Sequence, residues 1–156
     1  MDSAYIYNTP IGKIMIVASE YAIAQLYFEK QIQAQGILVK ETFLHKKAIN
    51  QLEEYFTKKR KTFDLPLDIK GTEFQKKVWN VLLKIPYGQT KSYKEVAQAV
   101  GNEKACRAVG MANNRNKLPI FIPCHRVIGT DGKLIGFGSG LETKKFLLDL
   151  ESSESI

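Results

Sequence analysis

A chain of 156 residues can form one ordinary domain or two small ones around a genuine hydrophobic core, and its 44% hydrophobic and 25% charged residues are the balance of a globular protein. No run approaches the ~18 consecutive apolar residues of a membrane span, and Met1-Asp2-Ser3-Ala4 does not open like a secretory signal. Twenty-three Lys and Arg against sixteen Asp and Glu leave a net charge of +7, which favours a polyanion partner such as nucleic acid, although it also aids solubility.

Residues 5–8, 13–19 and 23–29 are β-rich runs separated by T-P-I-G and S-E-Y-A, which predicts a meander of hairpins. From 42 to 59, Ala48, Leu52, Tyr55 and Phe56 recur at helical spacing, with a basic exit at K-K-R-K. That basic run reads as a solvated helix end favoured by the dipole. His45, on the same helix, reads as a surface residue. The stretch T-F-D-L-P-L-D-I-K-G reads as an extended linker, because Pro66 and Gly71 stop any helix. The expected division is therefore an α/β domain at 1–65 followed by a second domain at 66–156.

Beyond Gly71 the chain reads as mostly helical. Thr72-Glu73-Phe74-Gln75 has the capping-box form, and Phe74, Val78, Leu82 and Ile85 follow as a stripe that Pro86-Tyr87-Gly88 ends. Ser92-Tyr93-Lys94-Glu95 is a second box, opening a short helix closed by Gly101. Asn102 is positioned to cap a third helix over 103–113. Ser139-Gly140-Leu141-Glu142 is a further box, before a helix ending near Glu151. Apolar residues around Cys124 and a G-T-D-G turn at 129–132 predict a small hairpin.

The two short helices joined by V-G-N-E make a helix-turn-helix candidate. Its second helix is built of small residues, with Ala105, Ala108 and Ala112 on one side and Cys106, Gly110 and Asn113 beside them. Small residues allow close approach, either to another helix or to a nucleic-acid backbone. Arg107, alone among alanines, is poorly suited to a dry interface.

Only two cysteines, Cys106 and Cys124, and two histidines, His45 and His125, occur in the chain. This argues against a disulfide scaffold and suits a reducing interior, with a chance Cys106–Cys124 bridge as the alternative. No paired spacing suggests a zinc site. Cys124 and His125 are adjacent, which is not the usual arrangement of a thiol protease. A thiol attacks as thiolate, so it needs a base or a cation to promote ionisation. In a strand the two side chains would face apart, unless Pro123 breaks the regularity or a water links them. The imidazole would in turn need a carboxylate to fix its tautomer, and Glu151 is a candidate. On these residues alone, a structural thiol remains an alternative.

I-P-C-H-R-V at 122–127, R-A-V-G at 107–110 and Asn116 between them resemble the O6-alkylguanine-DNA alkyltransferases. The resemblance runs from F-Q-K-K-V-W at 74 to Glu151, and the N-terminal part is compatible with that family's ribonuclease-H-like domain. The fold it implies is α+β: a small ribonuclease-H-like α/β domain, then a mainly helical, winged helix-turn-helix-like domain. It implies a suicide reaction in which the alkyl group on O6 of a flipped guanine moves irreversibly to Cys124. His125 would act as base through a water, Glu151 would orient it, Asn116 would be the hinge asparagine, and Tyr93 would donate to N3 of the leaving guanine. Arg107 would take the place of the flipped nucleotide, with Thr72, Ala105, Cys106, Ala108 and Gly110 also at the DNA. Val127, Phe137 and Gly138 would hold the base. The partner implied is double-stranded DNA containing O6-alkylguanine, met by a monomer with no cofactor, metal or membrane, in the cytoplasm or on the nucleoid (nuclear only in a eukaryote).

Three departures from the family pattern stand out. Lys117 replaces the usual proline after the asparagine, Phe137 replaces a tyrosine found in some members, and Gly138-Ser139 differ from commoner loops. The zinc ligands of some relatives have no counterpart. A lesion sensor would lack the cysteine, and a plain winged-helix regulator would leave Cys124, His125 and Tyr93 unexplained.

Overall fold

The computed structural model describes residues 1–33, 36–129 and 140–152. The chain divides into two compact units, Met1–Ile69 and Lys70–Ile156.

In the first unit, β1 (Ser3–Thr9) and β2 (Gly12–Ala18) form an antiparallel hairpin, and β3 (Ile23–Phe28) pairs antiparallel with β2. The two-residue β4 (Leu38–Val39) adds parallel to β1, giving the order β3-β2-β1-β4. Gly12, at φ +95°, closes the tight turn between β1 and β2, a conformation that costs glycine little. The central β2 is buried from Ile14 to Ala18, so it is covered on both faces and lacks polar alternation. Met15 and Val17 join Ala4 on one face, against Ile32 and Ile37. The helix α1 (Phe43–Phe56) packs on the sheet through an apolar stripe that includes Ala48, Leu52 and Tyr55, all fully buried.

Two expectations fail in this unit. His45 is fully buried instead of on the surface. Its Nδ1 accepts from the Thr42 backbone N–H at 3.0 Å and lies 2.8 Å from Thr42 Oγ1, and its Nε2 lies 3.1 Å from the Ser3 carbonyl. The Ser3 carbonyl can only accept, so Nε2 carries a proton and the imidazole joins β1 to the start of α1. A His45→Ala substitution removes the buried imidazole bond to the Ser3 carbonyl and opens a cavity. We expect a loss of about 2–3 kcal/mol, measured by urea unfolding.

The stretch after α1 is not a free linker. Leu67 bridges Ile23 in parallel, with Ile23 N–H donating to the Pro66 carbonyl and Asp68 N–H to the Ile23 carbonyl, both at 2.8 Å. Gln51 makes reciprocal bonds with the Asp64 backbone at 3.0 and 2.9 Å, and the Phe63 ring lies 5.4 Å from that of Tyr55. Residues 66–69 thus run with the first unit, four residues beyond the expected division.

The second unit holds α2 (Glu73–Leu83), β5 (Lys91–Ser92), α3 (Tyr93–Ala99), α4 (Cys106–Asn114), β6 (Val127–Ile128) and α5 (Leu141–Ser152). Both capping boxes at the starts of α2 and α3 form, Thr72 with Gln75 and Ser92 with Glu95. The apolar stripe of α2 buries Val78, Trp79 and Leu82, and Trp79 Nε1 donates to the Ala112 carbonyl of α4 at 3.0 Å. α4 begins three residues later than expected. The Asn102 side chain accepts from Lys104 N–H at 3.1 Å, and its carbonyl accepts from Ala105 N–H. Asparagine closes a local turn here, competing with the helix it was expected to cap. β6 pairs in parallel with β5, Lys91 opposite Val127, and the expected hairpin would turn just beyond it, at 129–132. Most of that expected turn, and Ser139 of the last expected capping box, lie outside the described residues. Among the described residues no helix is long and apolar enough to cross a membrane.

Candidate active site

Cys124 opens a short 3-10 turn, Cys124–Arg126, where a strand was expected. The turn follows from Pro123, whose carbonyl accepts from Arg126 N–H at 3.0 Å. The chain reaches it through a tight loop in which Ile120 has φ +74°, a left-handed conformation that is costly for a β-branched residue. Asn116 braces that loop: its Nδ2 donates to the Ile122 carbonyl at 2.8 Å, and its Oδ1 accepts from Leu118 N–H at 2.9 Å. Lys117 is exposed within it. A second brace comes from α4, where buried Asn113 donates through Nδ2 to the Cys124 carbonyl at 3.2 Å.

Cys124 is 3% exposed, and burial pushes the pKa of its thiol up to about 11. The Asn116 side chain, the Lys144 charge and the backbone amides of Cys124 and His125 all pull the other way without overcoming that effect. The thiol is therefore an acid at rest.

His125, fully buried, directs Nε2 to Glu151 Oε2 at 2.7 Å. Burial lowers its pKa, the bond and charge of Glu151 oppose this, and the Arg126 and Lys144 charges lower it further, so the imidazole is neutral. Glu151, an acceptor as carboxylate, fixes the proton on Nε2 and leaves Nδ1 as a lone-pair nitrogen. Nδ1 is buried, with no hydrogen-bond partner among the described residues. Burial pushes the Glu151 carboxyl up, but hydrogen bonds from His125 and Arg126, with their charge, hold it at about 2. Arg126 grips it with Nε to Oε1 at 2.8 Å and Nη2 to Oε2 at 3.0 Å.

Tyr93, at the start of α3, is half-buried, and burial with the neighbouring Cys124 raises its pKa, so its hydroxyl remains a donor. Lys144 of α5, fully buried, lies 5.9 Å from the Tyr93 ring centroid and donates through Nζ to the Val127 carbonyl at 2.6 Å. Burial lowers its pKa and Cys124 opposes that. Val127 is buried beside the turn, with its carbonyl engaged in this way. Phe137 and Gly138 lie outside the described residues.

On α4, Arg107 and Ala108 are exposed, whereas Ala105, Cys106 and Gly110 are partly buried. The alanine line read from the sequence is not one surface: Ala112 is buried with Val109 and Asn113, because α2 and α3 pack on that side. Cys106 Sγ donates to the Glu103 carbonyl at 3.7 Å, and it and Cys124 are both free thiols. Thr72 is exposed and caps α2. Among the described residues no group of three His, Cys, Asp or Glu side chains is placed to hold a metal ion.

Sequence reasoning missed three residues: Asn113, Arg126 and Lys144. Lys144 had a usable signal, since it shares the buried stripe of α5 with Leu147 and Glu151 at helical spacing. Asn113 likewise lies one helical turn from buried Val109. Arg126 carried no periodic signal, because it lies in an irregular turn.

Two family models cover most of the chain. Residues 4–69 match the ribonuclease-like domain of 6-O-methylguanine DNA methyltransferase, and residues 73–153 match the DNA binding domain of the same family. The methylated-DNA–protein-cysteine methyltransferase of Methanosarcina acetivorans is 48% identical over 151 residues, covering 95% of this chain and 97% of that protein. The constitutive Bacillus subtilis protein of the same name is 49% identical, covering 92% of each. Among solved structures, the Mycobacterium tuberculosis O6-methylguanine methyltransferase is similar with a TM-score of 0.92 at 39% identity, covering 100% of this chain and 96% of that one. The M. tuberculosis protein solved in complex with DNA gives 0.91 at 39% identity, covering 96% and 92%. The resemblance read from I-P-C-H-R-V therefore extends over both units, and the chain belongs to the methylated-DNA–protein-cysteine methyltransferase family.

Proposed function

We propose that this protein repairs alkylated DNA by moving the alkyl group from O6 of a guanine onto the sulfur of its own Cys124, once per molecule. The observation that carries this reading is the buried Cys124 thiol on the same turn as a neutral imidazole whose Nε2 is tied to Glu151 at 2.7 Å.

The proton of the thiol passes through one water to His125 Nδ1 as sulfur attacks the alkyl carbon. The S–C bond forms, the C–O6 bond breaks, and its electron pair enters the purine. Tyr93 donates to N3 and stabilises that charge as it develops. The base takes up one proton and His125 gives up the one it received, so thiol and O6-alkylguanine become thioether and guanine. Asn116 fixes the loop that presents the nucleophile. Nothing regenerates the thiol from a thioether, which makes the reaction a single turnover.

The partner is double-stranded DNA, and the net charge of +7 supports binding through phosphates. O6 of guanine is out of reach within a duplex, so the nucleotide is turned out, at a cost of a few kcal/mol. α4 approaches the minor groove with its exposed Arg107 filling the gap, Ala105, Cys106, Ala108 and Gly110 keeping the approach close, and Thr72 contacting the backbone. Val127, with Phe137 and Gly138, holds the extruded base. The protein acts as a monomer in the reducing cytoplasm, which its two free cysteines support.

The test is to incubate the protein with an oligonucleotide duplex carrying O6-methylguanine, weigh the protein and map the modified peptide. We expect one added methyl, on Cys124, and a reaction that stops at one equivalent. Tight binding without a gain in mass would overturn the assignment.

A further inference from the structure

The turn at Ile85-Pro86-Tyr87-Gly88 does more than end α2. It converges with Arg126 on the last turn of α5. The Ile85 carbonyl accepts from Arg126 Nη1 at 2.7 Å, and the Arg126 guanidinium carbon lies 5.8 Å from the Tyr87 ring centroid. Tyr87 hydroxyl donates to the Leu150 carbonyl, and Gly88 N–H points to Glu151 Oε1, both at 3.4 Å. Gly88 has φ +80°, and a Cβ there would sit 3.2 Å from the Glu151 carbonyl oxygen, so glycine permits this close approach. Arg126 is thus held by the Ile85 carbonyl and the Tyr87 ring while its fork engages both oxygens of Glu151.

We propose that Arg126, seated by the Ile85–Gly88 turn, is a positioning residue for alkyl transfer: it neutralises and orients Glu151, so that Glu151 aligns His125 without drawing a proton onto it. The proposal rests on the assignment of His125 as the base.

The physical reason is charge balance in a buried site. A lone carboxylate 2.7 Å from an imidazole favours the imidazolium, whose Nδ1 would carry a proton and could not accept one from the thiol. With Arg126 in place, Glu151 and Arg126 sum to zero, and protonating His125 would leave a net buried charge. The charged groups acting on the imidazole are Glu151 and Lys144 from α5 and Arg126 from its own turn; Tyr87 from the Ile85–Gly88 turn lies by Glu151 and Arg126, and Tyr93 from α3 by Cys124. Of these, Arg126 alone forms a fork on Glu151 among the contacts described.

The experiment combines two readouts on the whole chain. One is the single-turnover rate on duplex O6-methylguanine DNA across pH; the other is the NMR titration of His125 without DNA. In Arg126→Met the imidazole titrates higher, so its proton-accepting form is lost earlier as pH falls. We expect the acid limb to rise by about one pH unit, with about a tenfold lower rate near its midpoint and a rate within about threefold at alkaline pH. The Arg126→Met/Glu151→Gln double variant, which leaves no buried unpaired charge, should return the His125 midpoint to the wild-type value or below it. It carries the test if the single variant does not fold. A uniform drop in rate with an unmoved limb, or a double variant whose midpoint rises by a unit, would overturn the proposal. Absence of alkyl transfer by the wild-type protein would sink the functional reading instead, leaving the NMR result to judge Arg126 by itself.

Discussion

A Cys124→Ser protein is expected to lose alkyl transfer by about a thousandfold or more, equivalent to roughly 4 kcal/mol or above on the barrier. Serine is nearly isosteric, so the buried pocket, the Asn113 bond to the residue 124 carbonyl and the His125–Glu151 pair should survive. What changes is the nucleophile. A hydroxyl is a far weaker acid than even the raised thiol of Cys124, and its oxygen is less polarisable than sulfur. The neutral imidazole is then asked to accept a proton from a group that scarcely releases it. Binding of the damaged duplex should remain within a few-fold of wild type, because none of the contacts proposed for the DNA or the extruded base is made by the thiol. Gel-shift and single-turnover measurements on the same preparation check both halves. A large loss of binding would mean that lesion recognition and chemistry share more of the site than proposed.

Replacing Glu151 with Ala should be the most damaging change to stability. Its side chain is 1% exposed, between His125 at 0% and Arg126 at 8%, so solvent does little to screen what is lost. Removing it leaves a buried guanidinium without its anion and an imidazole without its acceptor. We expect a cost of about 3–5 kcal/mol, or a fall in melting temperature on the order of 15 °C or more. The same pair sets an acid dependence. Glu151 titrates at about 2 when folded against an ordinary 4.5, so its contribution is present in full above the ordinary value and is lost as pH falls toward 2. Melting temperature should therefore drop between those pH values. Glu151→Gln should flatten that part of the profile. An acid profile unchanged by the Gln substitution would show that other carboxylates govern it.

Much of the local structure was legible because it rests on short-range rules. The boxes at Thr72 and Ser92 were readable from residue type and spacing, since the reciprocal bonds span only three residues. The stripes of α1 and α2 were readable because one helical face must leave water. Two of the failures share a cause. His45 was placed outside because its partners, the Ser3 carbonyl and the Thr42 turn, become neighbours only when β1 meets α1. The stretch around Pro66 read as a linker because its pairing partner, Ile23, is distant in the chain. Asn102 could cap a helix or close its own turn, and local sequence does not choose between them.

The amino-acid sequence by itself determined the family, through the Cys124-His125 motif with Tyr93, Arg107 and Asn116, and it determined which residue types were available for chemistry. Only the tertiary structure decided how that chemistry is poised. It set the thiol as a buried acid instead of a resting thiolate, and it seated Glu151 against His125. It also brought Arg126, the Ile85–Gly88 turn and Lys144 around them. Ionisation and tautomer depend on which charges lie within a few ångströms and how much water is excluded. Those quantities come from residues as far apart in the chain as Ile85, Arg126 and Glu151, and they exist only once the chain has folded.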